Sequence, residues 1–242
     1  MNAIRSIVFN IFFFAGSLFW SIALLWTLVL PTKICTPIVS TIYGGYITLI
    51  ERYILGLKLE IKGFENIPKT GSYILAAKHQ SAYETLKLPY MKSLGYPAII
   101  LKKELTYIPI YGWYFWGMGQ IAIDRGSAKE ALESIVRGCK KHLAAGRSVI
   151  IFPQGTRTAI GAKKDYKAGI AKVYRDTNAV IVPMALNSGL FWGRNSFFKK
   201  SGTVTFEFLP PITAGLPPLQ MMEQLEKAIE DGTDQLVAAA KL

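Results

Sequence analysis

The stretch "SYILAAKHQSAYE", residues 72–84, joins an apolar run directly to a histidine, a serine and a carboxylate. Its first half, 72–78, has the length and composition of a buried strand. Ser81 suits the start of a helix, and Glu84 stands three residues on, the spacing of a capping box. His79 then falls at the carboxyl end of the strand. Two roles for Glu84 follow: a cap for backbone N–H groups, or the orienter of a basic His79. If residues 79–84 were all helical, the two side chains would lie about 140° apart and could not meet. They meet only if His79 sits in the loop before the helix, with Glu84 in its first turn. A carboxylate has two oxygens, so both roles fit together.

Outward from this stretch, short β-rich runs alternate with helical patterns. Strands are expected over 57–63, 72–78, 97–103, 120–124, 148–153, 179–187 and 203–209. Helices fit 81–94, 110–118, 127–145, 168–176 and 218–240, the third with Ser127 and Glu130 as a capping pair and Gly146 at its end. The alternation predicts an α/β fold, with a mixed, mainly parallel sheet covered by helices. Ligands of such sheets bind beyond the carboxyl ends of the strands. His79, Lys102-Lys103, Asp124-Arg125, "FPQGTR" (152–157) and "ALNSG" (185–189) all fall there.

Bulk properties narrow the setting. The 242 residues are 51% hydrophobic and carry a net charge of +12, which suits an anionic partner such as phosphate or a lipid surface. Two cysteines, Cys35 and Cys139, make no disulfide framework, and with only His79 and His142 no metal site is expected. Between Arg5 and Lys33 lie 27 uncharged residues, enough for a membrane helix, which needs about 20. A signal peptide is the rival, but the run is too long for its apolar core and no small-x-small cleavage site closes it. A second uncharged run of 17 residues, Ile34 to Ile50, contains Pro37 and Gly44-Gly45. It either completes a helical hairpin or lies in the interface. Residues 1–56 therefore read as an N-terminal membrane-associated helical segment, and 57–242 as the globular domain.

Three further blocks carry chemistry. In "FPQGTRT" (152–158), Gly155 permits a tight turn and Arg157 offers a planar fork for phosphate, although an ordinary turn reads the same way. Lys163, Lys164 and Lys167 follow and favour an anion site. In "IAIDRGS" (121–127), Asp124 and Arg125 either bind or merely turn the chain. "VPMALNSG" (182–189) reads as a core strand entering a polar turn. The aromatic run "PIYGWYFWGMG" (109–119) is core or membrane-facing surface, or a contact for an acyl chain.

Together and in this order, "KHQSAYE", "IAIDRG", "FPQGTR" and "IVPMALNSG" resemble the four motifs of the 1-acylglycerol-3-phosphate acyltransferase family. The family usually has Asn-His-Gln-Ser with an Asp where this chain has Glu84, and a Glu where it has Gln154. The resemblance implies transfer of a fatty acyl group from acyl-CoA or acyl carrier protein to the sn-2 hydroxyl of 1-acylglycerol-3-phosphate, giving phosphatidic acid. It implies His79 as base and Glu84 as its partner, with Ser81 capping the helix rather than forming an acyl-enzyme. Lys103, Arg125, Gln154, Gly155, Thr156, Arg157 and Lys167 are the expected substrate contacts, and no metal or bound cofactor is implied. The expected setting is a membrane, the inner one if bacterial, with the catalytic domain facing the cytoplasm. Gln154 keeps another lyso-lipid acceptor open, such as lyso-ornithine lipid or a lysophosphatidylcholine-type lipid. A non-catalytic protein binding anionic lipid is the alternative from another class. Nucleic acid is not an expected partner, because the basic residues are scattered among strand ends.

Overall fold

The apolar runs become the strands of one sheet in the computed structural model, which describes residues 2–124 and 126–240. They are β1 (Leu57–Lys62), β2 (Ile74–Ala77), β3 (Ala98–Lys102), β4 (Ile121–Ile123), β5 (Val149–Ile151), β6 (Ile181–Leu186) and β7 (Gly202–Phe208), in the order β1-β7-β6-β2-β5-β3-β4. From β6 to β4 every pairing is parallel. β7 runs antiparallel to β6, and β1 pairs parallel with β7. The central strand β2 is buried at every position, as a parallel strand covered on both faces must be. Its alternate side chains feed two cores. Leu75 and Ala77 face one, Ile74 and Ala76 the other.

One core is closed by α5 (Ala128–Ala144), α6 (Gly169–Thr177) and α7 (Pro218–Ala239), through Cys139, Val173, Leu225 and Ile229 among others. Ser127 caps α5, its Oγ accepting the Glu130 N–H at 3.4 Å. Over the opposite face lie α1 (Asn2–Ala23), α2 (Thr32–Ile50), α3 (Tyr83–Lys87) and α4 (Trp113–Gly117). The helix expected over 81–94 is cut short. Pro89 has no N–H to donate, and the chain passes into 3₁₀ turns at Leu88–Tyr90 and Lys92–Leu94 that stop at Gly95, φ 71°.

The N-terminal segment is a helical hairpin, its arms joined by a 3₁₀ turn at Leu25–Val29. It is also part of the core. Phe9, Leu24, Val39, Tyr43 and Ile47 are buried in the same cluster as Leu75, Val182 and Phe206 of the sheet. The segment up to residue 56 is therefore packed, over its described residues, onto the domain rather than tethered to it, with β1 starting directly after Gly56 at φ 71°. The polar residues of α1 serve this docking: Ser6 Oγ accepts the Lys199 N–H at 2.9 Å, and Lys199 Nζ donates to Asn10 Oδ1 at 2.7 Å. The outer face of α1 is different. Ile7, Ile11, Phe14, Leu18 and Ile22 recur at helical spacing and are exposed. A stripe of that kind is built for lipid, not water. Ala3–Ala23 and Thr32–Leu55 are each long and apolar enough to cross a membrane, and the exposed stripe suits membrane association.

Candidate active site

β2 ends at Ala77 and α3 starts at Tyr83, so His79 lies in the loop between them, as meeting Glu84 requires. His79 Nδ1 and Glu84 Oε1 are 2.8 Å apart. The same oxygen accepts the backbone N–H groups of Gln80 and Ser81, each at 2.7 Å. Capping and orienting are thus done together, and by one oxygen rather than by two. The other, Oε2, accepts Ser188 Oγ at 2.7 Å. Glu84 is completely buried, and these four donors offset its desolvation. A carboxylate only accepts, so Nδ1 carries the ring proton and Nε2 is left with its lone pair.

Ser81 sits one residue before the position that caps α3, because the helix begins at Tyr83 rather than at the residue after Ser81. Its hydroxyl nevertheless accepts the Tyr83 N–H at 3.1 Å, and the side chain is buried.

The imidazole is held on a second side. Phe152 stacks on it at 4.1 Å between centroids with 19° between planes, and Thr158 donates to the His79 carbonyl from both N–H and Oγ1, at 2.8 and 3.1 Å. Gly155 turns the intervening loop at φ 68°, a left-handed conformation that only glycine adopts readily. Gly189 is required for a different reason. Its N–H donates to Gln80 Oε1 at 3.0 Å, and a Cβ there would stand 3.0 Å from Gln80 Cβ. The blocks around residues 80, 152 and 188 therefore close on one another.

His79, 12% exposed at its side chain, opens onto a cavity of about 830 Å³. Its lining combines the polar Thr156, Arg157, Lys167 and Arg194 with the apolar Leu101, Tyr111 and Met118 from the domain and Leu24, Val39 and Tyr43 from the hairpin. Gly155 also lines it. Two of the expected contacts do not. Gln154 is 1% exposed and turns inward, its Nε2 donating to Glu230 Oε1 at 3.5 Å and its Oε1 accepting Thr158 Oγ1 at 3.2 Å. Lys103 is half-buried in the 3₁₀ turn after β3, 3.4 Å from Asp124 Oδ2, whereas its neighbour Lys102 lines the cavity. Arg125 lies outside the described residues.

Sequence reading singled out neither Ser188 nor Arg194. Ser188 had a signal, a polar turn directly after a buried strand. Arg194 had none, and its Nη1 donates to the Arg157 carbonyl at 3.1 Å. Ser188→Ala leaves Glu84 Oε2 without its buried donor, which costs about 1–3 kcal/mol. Thermal unfolding should register the loss at roughly 2–4 °C per kcal/mol, and activity should fall with it.

Three comparisons bear on this arrangement. Residues 58–187 match the family described as Acyltransferase. A 1-acyl-sn-glycerol-3-phosphate acyltransferase of Pseudomonas aeruginosa is 29% identical over 231 residues, 94% of this chain and 88% of that one. The protein of that name from Saccharomyces cerevisiae is 28% identical, with 86% and 71% covered. The crystal structure of the 1-acyl-sn-glycerophosphate (LPA) acyltransferase PlsC from Thermotoga maritima shares the fold, with a TM-score of 0.79 at 20% identity over 100% of this chain and 98% of that one.

Proposed function

The chain belongs to the Acyltransferase family, and on that premise we propose that it moves a fatty acyl group from a thioester to the sn-2 hydroxyl of 1-acylglycerol-3-phosphate, forming phosphatidic acid. The observation that carries this reading is His79, held as the Nδ1–H tautomer by Glu84 Oε1, on a cavity lined by both cationic and apolar side chains. The cavity has the size of ordinary small-ligand sites, about 300–1,000 Å³. Its apolar side chains suit an acyl chain, and its Arg and Lys suit a phosphate monoester.

The chemistry follows from the geometry. The lipid hydroxyl is a poor nucleophile at neutral pH, so Nε2 takes its proton as the oxygen attacks the thioester carbonyl. A carbon–oxygen bond forms, and the carbonyl electrons move onto oxygen. Glu84 remains ionised and stabilises the imidazolium. When the intermediate collapses, the carbon–sulfur bond breaks and the leaving thiolate takes the proton from Nε2. One ester forms and one thiol is released, with no acyl-enzyme.

Arg157, Lys167 and Arg194 would hold the acceptor's phosphate, with Thr156 and the Gly155 turn beside it. Such positioning can contribute several kcal/mol, up to about 7–11 in an ideally oriented reaction. The donor is acyl-CoA or acyl carrier protein. The basic balance of the chain suits either, and a site facing the cytoplasm would meet both.

The test is transfer of a labelled acyl group from thioester to lysophosphatidate, lysophosphatidylcholine and lyso-ornithine lipid in parallel. Lysophosphatidate should be strongly preferred. Arg157→Ala should lower kcat/KM for it by about 10- to 100-fold, the worth of one charge-assisted hydrogen bond. Equal use of the choline lipid, or indifference to the arginine, would overturn the assignment of the acceptor.

A further inference from the structure

A second buried network lies beside the histidine, and the mechanism above makes no use of it. Lys78 immediately precedes His79 in the chain, and its side chain is 3% exposed. Its Nζ donates to Glu230 Oε2 at 2.5 Å, reaching α7 across 152 residues of sequence. The other oxygen of Glu230 accepts Tyr166 Oη at 2.8 Å and Gln154 Nε2 at 3.5 Å. From Gln154 the connections return to the histidine. The Thr158 N–H donates to the His79 carbonyl, and the one Thr158 hydroxyl hydrogen is shared between that carbonyl and Gln154 Oε1. The Lys78 N–H is itself held by the Met184 carbonyl at 2.9 Å. Glu230 thus grips the residue before His79 on one side, and on the other the loop whose Thr158 grips His79 itself.

Two of the three residues at which this chain departs from the motif pattern belong to this network, the third being Glu84. Lys78 stands where the resembling family usually has asparagine, and Gln154 where it has glutamate. A carboxylate at 154 would face Glu230 at hydrogen-bond distance, and two buried like charges repel. Here the network holds one carboxylate, on α7, and one cation, beside the histidine. Burial and then the Glu230 charge push the Tyr166 phenol upward, so it stays a neutral donor.

We propose that Glu230 is a positioning residue for acyl transfer, holding Lys78 and Gln154 so that the C-terminal helix fixes the backbone on both sides of His79. Gln154 then belongs to this support rather than to the acceptor's head group. The inference rests on His79 being the base.

The experiment is a charge-relocation cycle in the full-length protein, assayed with labelled acyl thioester and lysophosphatidate. Glu230→Gln should lower kcat by about 10- to 100-fold, the effect of a displacement of order 1 Å at the base. KM for lysophosphatidate should change much less than kcat, because Glu230 bonds directly to none of Arg157, Lys167 and Arg194. Gln154→Glu alone should also lower kcat, although it restores the residue usual in the family. The double variant Gln154→Glu/Glu230→Gln returns one carboxylate to the cluster and should recover most of the loss. A general loss of fold would give no such reciprocity. Wild-type kcat in both single variants would overturn the proposal, as would additive losses in the double variant. His79→Ala, run alongside, separates the two claims: if it stays active, the reading of His79 fails, whereas an inactive His79→Ala beside an active Glu230→Gln sinks the positioning role alone.

Discussion

His79→Ala should transfer acyl groups about 10²- to 10⁴-fold more slowly than the wild type, the range for removing a general base. The loss should fall on kcat, because Arg157, Lys167 and Arg194 line the cavity without contacting the imidazole through any hydrogen bond of their own. The variant should also fold. His79 contributes one of the four hydrogen bonds that Glu84 accepts, and Gln80, Ser81 and Ser188 supply the rest. What disappears with the ring is the stack on Phe152, at an edge open to the cavity. Thermal unfolding measured beside the assay separates the cases: a slow enzyme with a near-native transition is the expected result.

Glu84→Gln should be nearly as damaging, for a reason visible in its donors. Three hydrogen bonds converge on Oε1 and one on Oε2. An amide fits this set in one orientation, with its carbonyl oxygen toward Nδ1 and the backbone N–H groups and its NH₂ toward Ser188. The hydroxyl of Ser188 can turn to accept. Geometry and tautomer then survive while the charge is lost, so the imidazolium formed in the reaction has no counter-charge. A loss of about 10²- to 10³-fold in kcat is expected, the size of effect when one preorganised electrostatic partner of the transition state is removed. An active Glu84→Gln would mean that Glu84 only caps the helix.

Local features were legible in the sequence, and long-range ones were not. Seven strands and the capped helix α5 formed where apolar periodicity and Ser127 placed them. The His79–Glu84 pair could be found because both partners lie in one strand-to-helix turn, where loop geometry alone decides whether they meet. Ser188 could not, because its partner is 104 residues away and a serine after a strand has many bland uses. Gln154 followed the same rule in reverse. Its place in the third motif suggested a substrate contact, but it turns inward to Glu230, 76 residues away, which no pattern near residue 154 reveals. The docking of the hairpin was hidden for another reason. Apolar residues facing lipid and apolar residues facing a core have the same composition, so Phe9 and Phe14 look alike in sequence although one is buried and the other exposed.

The most direct measurement mixes the wild-type protein with a labelled acyl thioester, with or without lysophosphatidate, then quenches in acid and separates protein from lipid. Direct transfer to the hydroxyl through His79 gives no label on protein in either arm. With acceptor present, one labelled phosphatidate appears for each thiol released. Stoichiometric label on the protein in the absence of acceptor, or thiol release with no labelled lipid, would contradict it.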